Sequence, residues 1–333
     1  MRLLFAFCVF VYHAVALSSV APFGPAENFL GQLGKLSVEG FFIVSGALVF
    51  GSLERSRSLS LYAEKRVRRL YPAYAVIVII PALMSALLTG LAQPEAIARY
   101  LGANLIFLNF LAPDLPGLFE GQRFTEVNGA LWTLKIEVMF YIALPFIALI
   151  LRLFGKAWWL GLLILYAGGA AWSLCLPMLL DHPLAPELAR QLPGQMAYFA
   201  SGMAIWKLWD VAKAKPGMFG LIGLVLLAVS YAHPFAEPLR AAGLAGIIAC
   251  VAFAPGPMAD AAQFGDVSYG LYITHFPILQ TMIALGLFAS LGFGVAAVVA
   301  TLVVLLSSFL LWHLIEKPAL RRDSHYRKVA RAE

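Results

Sequence analysis

The chain contains ten long apolar stretches, each close to the length that a helix needs to cross a membrane. A bilayer core about 30 Å thick takes roughly 20 helical residues, because an α-helix rises about 1.5 Å per residue. The stretches lie at 3–20, 36–53, 70–91, 131–152, 157–179, 193–209, 216–232, 239–255, 268–289 and 292–315. A shorter apolar stretch, 100–112, is predicted to be re-entrant or interfacial. The sequence therefore predicts an all-α, polytopic transmembrane helical bundle with about ten spans.

The composition agrees with a chain that lies mostly in lipid. It is 61% hydrophobic and 13% charged, whereas soluble domains contain about 25% charged residues. Since no polar stretch is long enough for a separate soluble domain, we predict one integral-membrane domain over 1–333, ending in a short basic tail at 318–333. Cys8, Cys175 and Cys250 are isolated in apolar runs, so structural thiols are expected in place of a disulfide framework or a metal site.

The distribution of basic residues predicts the orientation of the chain. With the N-terminus in the cytoplasm, the inner segments hold eighteen Lys and Arg residues and the outer segments hold five. The positive-inside rule then places both termini in the cytoplasm of a multi-pass protein of the plasma (inner) membrane. The net charge of +6 is explained by topology and contact with membrane lipid, and no nucleic acid partner is expected. A secretory signal with cleavage after Ala14-Val15-Ala16 is an alternative reading of the first stretch.

Two spans carry ionisable residues at depths where lipid disfavours them. His13 follows Arg2 by eleven residues, which is roughly 16 Å along a helix. Glu137 lies roughly 9 Å below the outer end of its span, flanked by Trp132 and Tyr141. These depths allow the imidazole and the carboxylate to line one cavity. Such residues are usually functional, although a hydrogen bond that only packs the helices is the alternative.

Three further ionisable residues have structural alternatives. Glu39 lies near the outer end of the second span, where water could solvate it. His275 lies roughly 10 Å from the inner face, and its neighbours Tyr272 and Thr274 could satisfy its hydrogen bonds. Glu316 precedes a proline at the end of the last span, where a solvated helix end is expected.

A basic run at 62–72 is denser than topology requires. Arg66 and Arg69 are three residues apart, so their guanidinium groups share a helix face and suit phosphate groups. By spacing alone, an anchor that touches anionic lipid ranks first. The chain has no Gly-rich phosphate loop, paired-His zinc helix or G-x-S-x-G elbow. Any chemistry must therefore come from residues scattered over several spans.

Six segments, read together and in order, resemble motifs of the acyltransferase-3 family of integral-membrane acyltransferases. The segments are Arg2-x10-His13, Ser37 to Gly46 with Glu39 and Ser45, Arg66-x-x-Arg69 with Pro72 and Tyr74, Leu131 to Tyr141 with Glu137, Ser268 to His275 with Tyr269 and Tyr272, and Ile315 to Pro318. Glu39 replaces the Asp that is usual in the family, and Ala47 stands where Phe is common. Each motif is weak alone, but the ordered set is specific and spans residues 2–318.

The resemblance implies transfer of an acyl group, commonly acetyl, from cytoplasmic acyl-CoA to a hydroxyl of a carbohydrate or glycolipid at the outer face. His13 would be the general base or a transient acyl carrier, with Glu137 orienting it; an imidazole with an ordinary pKa near 6.5 suits this chemistry. Arg2, Arg66 and Arg69 would hold the donor phosphates. Substrate contact or support is expected from Glu39, Ser45, Trp132, Tyr141, Tyr269, Tyr272 and His275. Acyl-CoA is a donor substrate, so no permanently bound cofactor or metal is expected.

Two other classes of function remain open at this point. A transporter or flippase for a lipid-linked glycan or a small solute would also use intramembrane His, Glu and Arg residues, although the chain has no internal repeat of the kind that many transporters show. A non-catalytic scaffold is the third possibility. For the enzyme, the long outer loop at 93–130 is the predicted acceptor-recognition segment.

Overall fold

The computed structural model describes residues 1–20, 22–254, 266–321 and 324. Regular structure in these residues is helical, and none of them forms a strand, which confirms the all-α prediction. The predicted basic tail at 318–333 lies largely outside the described residues. The α-helices are α1 (Arg2–Ser18), α2 (Pro25–Glu54), α3 (Leu59–Thr89), α4 (Pro94–Asn104), α5 (Trp132–Leu153), α6 (Trp158–Leu179), α7 (Ala185–Ala189), α8 (Leu192–Lys207), α9 (Trp209–Ala214), α10 (Pro216–Ala232), α11 (Leu239–Phe253), α12 (Ser268–Ala284), α13 (Leu287–Leu311) and α14 (Lys317–Ala319).

Several of these helices can cross a membrane, so the chain is a multi-pass membrane protein. Within the described ranges, five segments are long and apolar enough by themselves: Pro25–Glu54, Leu59–Thr89, Gly129–Leu153, Gly155–Leu179 and Leu287–Ala319. Three shorter apolar helices are α1, α10 and α11. Each of the ten predicted spans overlaps an α-helix, but the number of crossings and the sides of the termini stay predictions.

Two helices begin earlier than the apolar pattern indicated. We placed the second and third spans at 36 and 70, whereas α2 begins at Pro25 and α3 at Leu59. The residues added to α3, 59–69, are mostly polar, and the helix continues through them because Lys, Arg and Glu are good helix formers. The residues added to α2, 25–35, mix apolar and polar side chains and begin with Pro25, a residue favoured at the first position of a helix. The apolar stretch 100–112 contains the end of α4 and a 3₁₀ turn at Asn109–Leu111.

Contacts divide the chain into two compact units. The first contains Met1–Ser37, Ala63–Lys135 and Ala259–Glu333, and the second contains Val38–Tyr62 and Ile136–Met258. The prediction of one membrane domain over 1–333 is not tested by this division.

In the first unit, α12 is the central helix. It packs against α1 and α13, and most of its side chains are buried. Pro277 lies inside α12 and lacks the N–H that would bond the carbonyl of Ile273. The Asn128 side chain supplies the missing donor, with its Nδ2 atom 2.9 Å from that carbonyl. The segment before α5 is thereby fixed to the helix that carries His275.

In the second unit, α6 packs against α8, and α10 packs against α11. Close approach of α2 and α8 depends on glycine at Gly46 and Gly202. A Cβ atom at Gly46 would lie 2.3 Å from the Phe199 carbonyl oxygen, and one at Gly202 would lie 2.0 Å from that of Ile43. Small residues allow such contacts between membrane helices. The Ser45-Gly46 motif therefore has a packing function in addition to any role of Ser45.

Candidate active site

Two histidines from distant parts of the chain meet inside the first unit. His13 Nδ1 on α1 lies 2.9 Å from His275 Nε2 on α12, and the two rings are stacked with centroids 5.0 Å apart. His275 is fully buried, whereas His13 is half-buried. The sequence analysis predicted both histidines as site residues, but it did not predict a contact between them.

The hydroxyls of Thr274 and Tyr272 bond to groups other than the His275 ring, whereas the Tyr272 backbone is one of the hydrogen-bond partners of that ring. The Thr274 hydroxyl donates to the Gly270 carbonyl, and the Tyr272 hydroxyl is 2.7 Å from the Thr133 hydroxyl. The other ring nitrogen of His275, Nδ1, lies 3.1 Å from the Leu271 carbonyl oxygen.

Aromatic side chains surround the two imidazoles. Phe276 contacts His13 edge to face with ring centroids 5.2 Å apart, and Tyr12 lies 5.0 Å from the same ring. Phe10 meets His275 edge to face at 6.3 Å. These walls exclude water from one side of the pair, and hydrogen bonds are stronger in such a low-dielectric environment.

A cluster of buried charges lies elsewhere in the first unit. The Asp266 carboxylate accepts from Arg69 Nη2 at 2.6 Å, from Arg2 Nη1 at 3.2 Å and from the Ser268 hydroxyl at 2.5 Å. Burial raises the pKa of the Asp266 carboxyl, but the two guanidinium groups and the Ser268 hydrogen bond outweigh it and hold the pKa well below its usual range. Sequence analysis missed Asp266, because an acidic residue just before a span looks like an ordinary solvated helix start.

Arg69 also forms an ion pair with Glu316, so the prediction of a solvated helix end at Glu316 is wrong. The Glu316 side chain is 1% exposed and that of Arg69 is 6% exposed. Glu316 closes a π-helical turn, Trp312–Glu316, and such turns often occur at functional sites. The Arg69 guanidinium also lies 5.4 Å from the Tyr269 ring centroid and 5.7 Å from that of Trp312.

The two arginines predicted to share a phosphate therefore have different surroundings. Arg69 is buried between two carboxylates, whereas Arg66 is half-buried. Arg2 shares Asp266 with Arg69, so the structure brings two of the three predicted donor-binding arginines to one carboxylate. Contact of these residues with donor phosphates stays a prediction.

The Glu137 carboxylate lies in the second unit with two other predicted residues. Ser45 Oγ donates to Glu137 Oε1 at 2.8 Å, and the Tyr141 hydroxyl donates to the same oxygen at 2.5 Å. Pro145 frees the Tyr141 carbonyl, which accepts from the Tyr62 hydroxyl at 3.0 Å. Glu137 and Tyr141 thus have defined positions. Because His13 belongs to the first unit, orientation of His13 by Glu137 stays a prediction.

Glu39 is also buried, so its solvation at a span end is ruled out. It is 3% exposed, and its Oε1 atom lies 3.6 Å from Arg240 Nη1. Arg240 also pairs with Glu237 at 2.9 Å. Sequence analysis treated Arg240 only as an outer charge, because nothing in the linear pattern links it to Glu39. Trp132 is half-buried at the first position of α5.

The loop at 93–130, which is predicted to lie on the outer side, is held by side-chain contacts with other segments of the first unit. Arg123 forms a two-pronged ion pair with Glu27, at 2.9 and 3.0 Å, and donates to the Ala16 carbonyl at 2.9 Å. Gln280 on α12 donates to the Phe124 carbonyl at 2.7 Å. The predicted recognition segment is therefore held against the ends of α1 and α2. Across the residues with described positions, no group of three or more His, Cys, Asp or Glu side chains could hold a metal ion.

Comparison with known proteins identifies the family. The acyltransferase-3 family model, described as an acyltransferase domain, matches residues 1–313. Nodulation protein 10 of Rhizobium leguminosarum bv. viciae is 26% identical over 84% of this chain and 81% of its own length. The O-acetyl transferase of Shigella phage Sf6 is 29% identical over 97% of this chain and 95% of its own. Acyltransferase MdmB of Streptomyces mycarofaciens is 23% identical over 93% and 87%.

No solved structure matches the chain significantly. The family match covers both histidines, Arg69 and Asp266 of the charge cluster, and the Glu137 group, whereas Glu316 lies beyond its end. The chain therefore belongs to the acyltransferase-3 family of integral-membrane acyltransferases.

Proposed function

We propose that the protein is a membrane-bound O-acetyltransferase that moves an acetyl group from cytoplasmic acetyl-CoA to a hydroxyl of a carbohydrate or glycolipid at the outer face of the plasma (inner) membrane. Membrane acyl transfer follows from the family. The acetyl group is supported by the name of the phage relative, an O-acetyl transferase aligned over nearly the whole chain. The sides of the membrane follow from the distribution of basic residues.

The observation that carries the proposal is the histidine pair. A half-buried imidazole whose Nδ1 is bonded to a second, fully buried imidazole can act as a general base through its other ring nitrogen. In this proposal, His13 takes the proton of the acceptor hydroxyl as the hydroxyl oxygen bonds to the thioester carbonyl carbon. The carbon–sulfur bond then breaks, and the leaving thiolate takes the proton from the imidazolium. In the alternative route, the His13 nitrogen carries the acetyl group between the two substrates.

The remaining site residues have supporting roles in the proposal. Arg2, Arg66 and Arg69 attract the donor phosphates, since guanidinium groups bind phosphate through paired hydrogen bonds. Phosphate entry at Arg69 has to compete with Asp266, which already accepts from it. Glu137, fixed by Ser45 and Tyr141, balances charge in the transition state. The loop at 93–130 contacts the acceptor.

The experiment is a measurement of free coenzyme A thiol released by purified protein given acetyl-CoA and a glycan acceptor. Wild type is expected to release thiol in step with acceptor acetylation, and His13→Ala to lose both. His182→Ala is the matched control, because His182 is exposed and its side chain accepts a local hydrogen bond from the Leu184 N–H. Near-normal transfer by His13→Ala would refute the assignment. Movement of a labelled glycan across a vesicle membrane without thiol release would favour the transporter class.

A further inference from the structure

We propose that His275 is a positioning residue that fixes the tautomer of His13, so that the basic atom of His13 is Nε2. This inference rests on the proposed function, in which His13 is the base or the acyl carrier. To the proposed function it adds two details: His275 orients His13, and Nε2 is the His13 nitrogen that reacts.

The hydrogen-bond partners determine where the protons lie. The Leu271 carbonyl oxygen can only accept a hydrogen bond, so His275 Nδ1, 3.1 Å away, carries the proton of that ring. A neutral imidazole has one N–H, and His275 Nε2 therefore presents a lone pair. His13 Nδ1, 2.9 Å from that lone pair, is therefore the donor, and the Val9 carbonyl oxygen is a second acceptor beside the His13 ring. The remaining nitrogen, His13 Nε2, is left with a lone pair for the substrate.

Burial separates the roles of the two rings. His275 is 0% exposed, so it cannot meet a substrate, whereas His13 is half-buried and retains an accessible surface. The hydrogen bonds therefore form a chain from the interior outward, from the Leu271 carbonyl through His275 to His13. The same logic operates where the second nitrogen of a functional histidine is bonded to an orienting group.

The surrounding structure holds His275 in place. α12 is anchored to α3 by the Tyr269 hydroxyl, which donates to the Leu70 carbonyl at 3.0 Å. Asn128 fixes the Ile273 carbonyl two residues before His275. With α12 held at these two positions ahead of His275, the imidazole can act as a rigid acceptor.

The hydrogen bond between His13 and His275 is kept when His13 reacts. When Nε2 takes the hydroxyl proton, His13 becomes an imidazolium and Nδ1–H continues to donate to His275. When Nε2 instead bonds to the acetyl carbon, the thiolate leaves and the Nδ1–H bond is again unchanged. His275 neither gains nor loses a proton in either route.

Kinetics of two variants test the positioning role. His275→Leu removes the acceptor, and we expect kcat to fall about 10- to 100-fold, as for other groups that orient a functional histidine, with the KM for acetyl-CoA unchanged. His275→Gln places an amide oxygen near the former Nε2 position, and we expect it to restore most of kcat. Equal kcat in wild type and His275→Leu, or equal loss in both variants, would overturn the proposal.

Nitrogen NMR of histidine-labelled protein tests the tautomer without any activity. The chain has six histidines, and the His13 signals are assigned by their loss in His13→Ala. We expect His13 to be protonated at Nδ1 in wild type and His275→Gln, and to shift towards Nε2 protonation in His275→Leu. Protonation at Nε2 in wild type contradicts the proposal. Because this readout does not depend on transfer, failure of the proposed function is detected separately, by retained transfer in His13→Ala.

Discussion

Glu316→Gln is expected to destabilise the protein strongly. Arg69 and Glu316 are 6% and 1% exposed and form an ion pair, and Arg2 and Arg69 together balance the carboxylates of Asp266 and Glu316. Removing one partner of a buried pair costs about 3–5 kcal/mol, because the other charge is left uncompensated. Asp266, 2.6 Å from Arg69 in the wild type, is expected to keep this bond in the variant. We therefore expect a loss near the lower end, about 3 kcal/mol.

The assay is the free energy of unfolding in detergent micelles, measured by denaturant titration at neutral pH. Glu187→Gln is the matched control, since the Arg190–Glu187 pair is 52% and 55% exposed and exposed pairs contribute only about 0–1 kcal/mol. A loss below about 1 kcal/mol for Glu316→Gln, comparable with an exposed pair, would refute the reasoning. It would mean that Glu316 is already neutral in the folded protein.

Three other predictions follow from the same contacts. Because the pKa of Asp266 is low in the folded protein, the unfolded chain binds more protons than the folded protein as the pH drops below about 4. Acid should therefore lower the free energy of unfolding more steeply in the wild type than in Asp266→Asn, which is measured by unfolding at a series of pH values. Gly46→Ala should reduce the melting temperature because its Cβ has no room, whereas Gly168→Ala, where a Cβ meets nothing within 4 Å, should not; equal melting temperatures contradict this. Asn128→Ala should lower the free energy of unfolding by about 1–3 kcal/mol, because it leaves the buried Ile273 carbonyl unpaired. Adding Pro277→Ala should recover part of this loss, because it restores the N–H that can bond the same carbonyl. A double variant no more stable than Asn128→Ala alone counts against the role of Asn128.

The apolar pattern located helical segments well, and each of the ten predicted spans overlaps an α-helix, because a membrane helix must be apolar over most of its length. It misplaced the beginnings of α2 and α3, since hydropathy measures transfer into lipid and a helix can continue through polar residues. The predicted sites of His13, Glu137 and Ser45 came from the cost of burying polar groups and from the ordered motifs. Ser45 and Glu137 are indeed bonded to each other.

Pairings between distant residues could not be predicted. His13 and His275 are 262 positions apart, and Arg69 and Asp266 are 197 apart. Linear spacing reports only on residues that share a helix face, whereas these contacts depend on how helices pack. For the same reason, a solvated helix end was expected for Glu316 and was an alternative for Glu39, although both are buried.

Mass spectrometry of cell-envelope glycans tests the central claim most directly. The comparison uses cells that lack this protein and are complemented with wild type, His13→Ala or His182→Ala at equal membrane abundance. The account predicts an acetylated glycan with wild type and His182→Ala that disappears with His13→Ala. An identical set of acetylated glycans with His13→Ala and with wild type would contradict it.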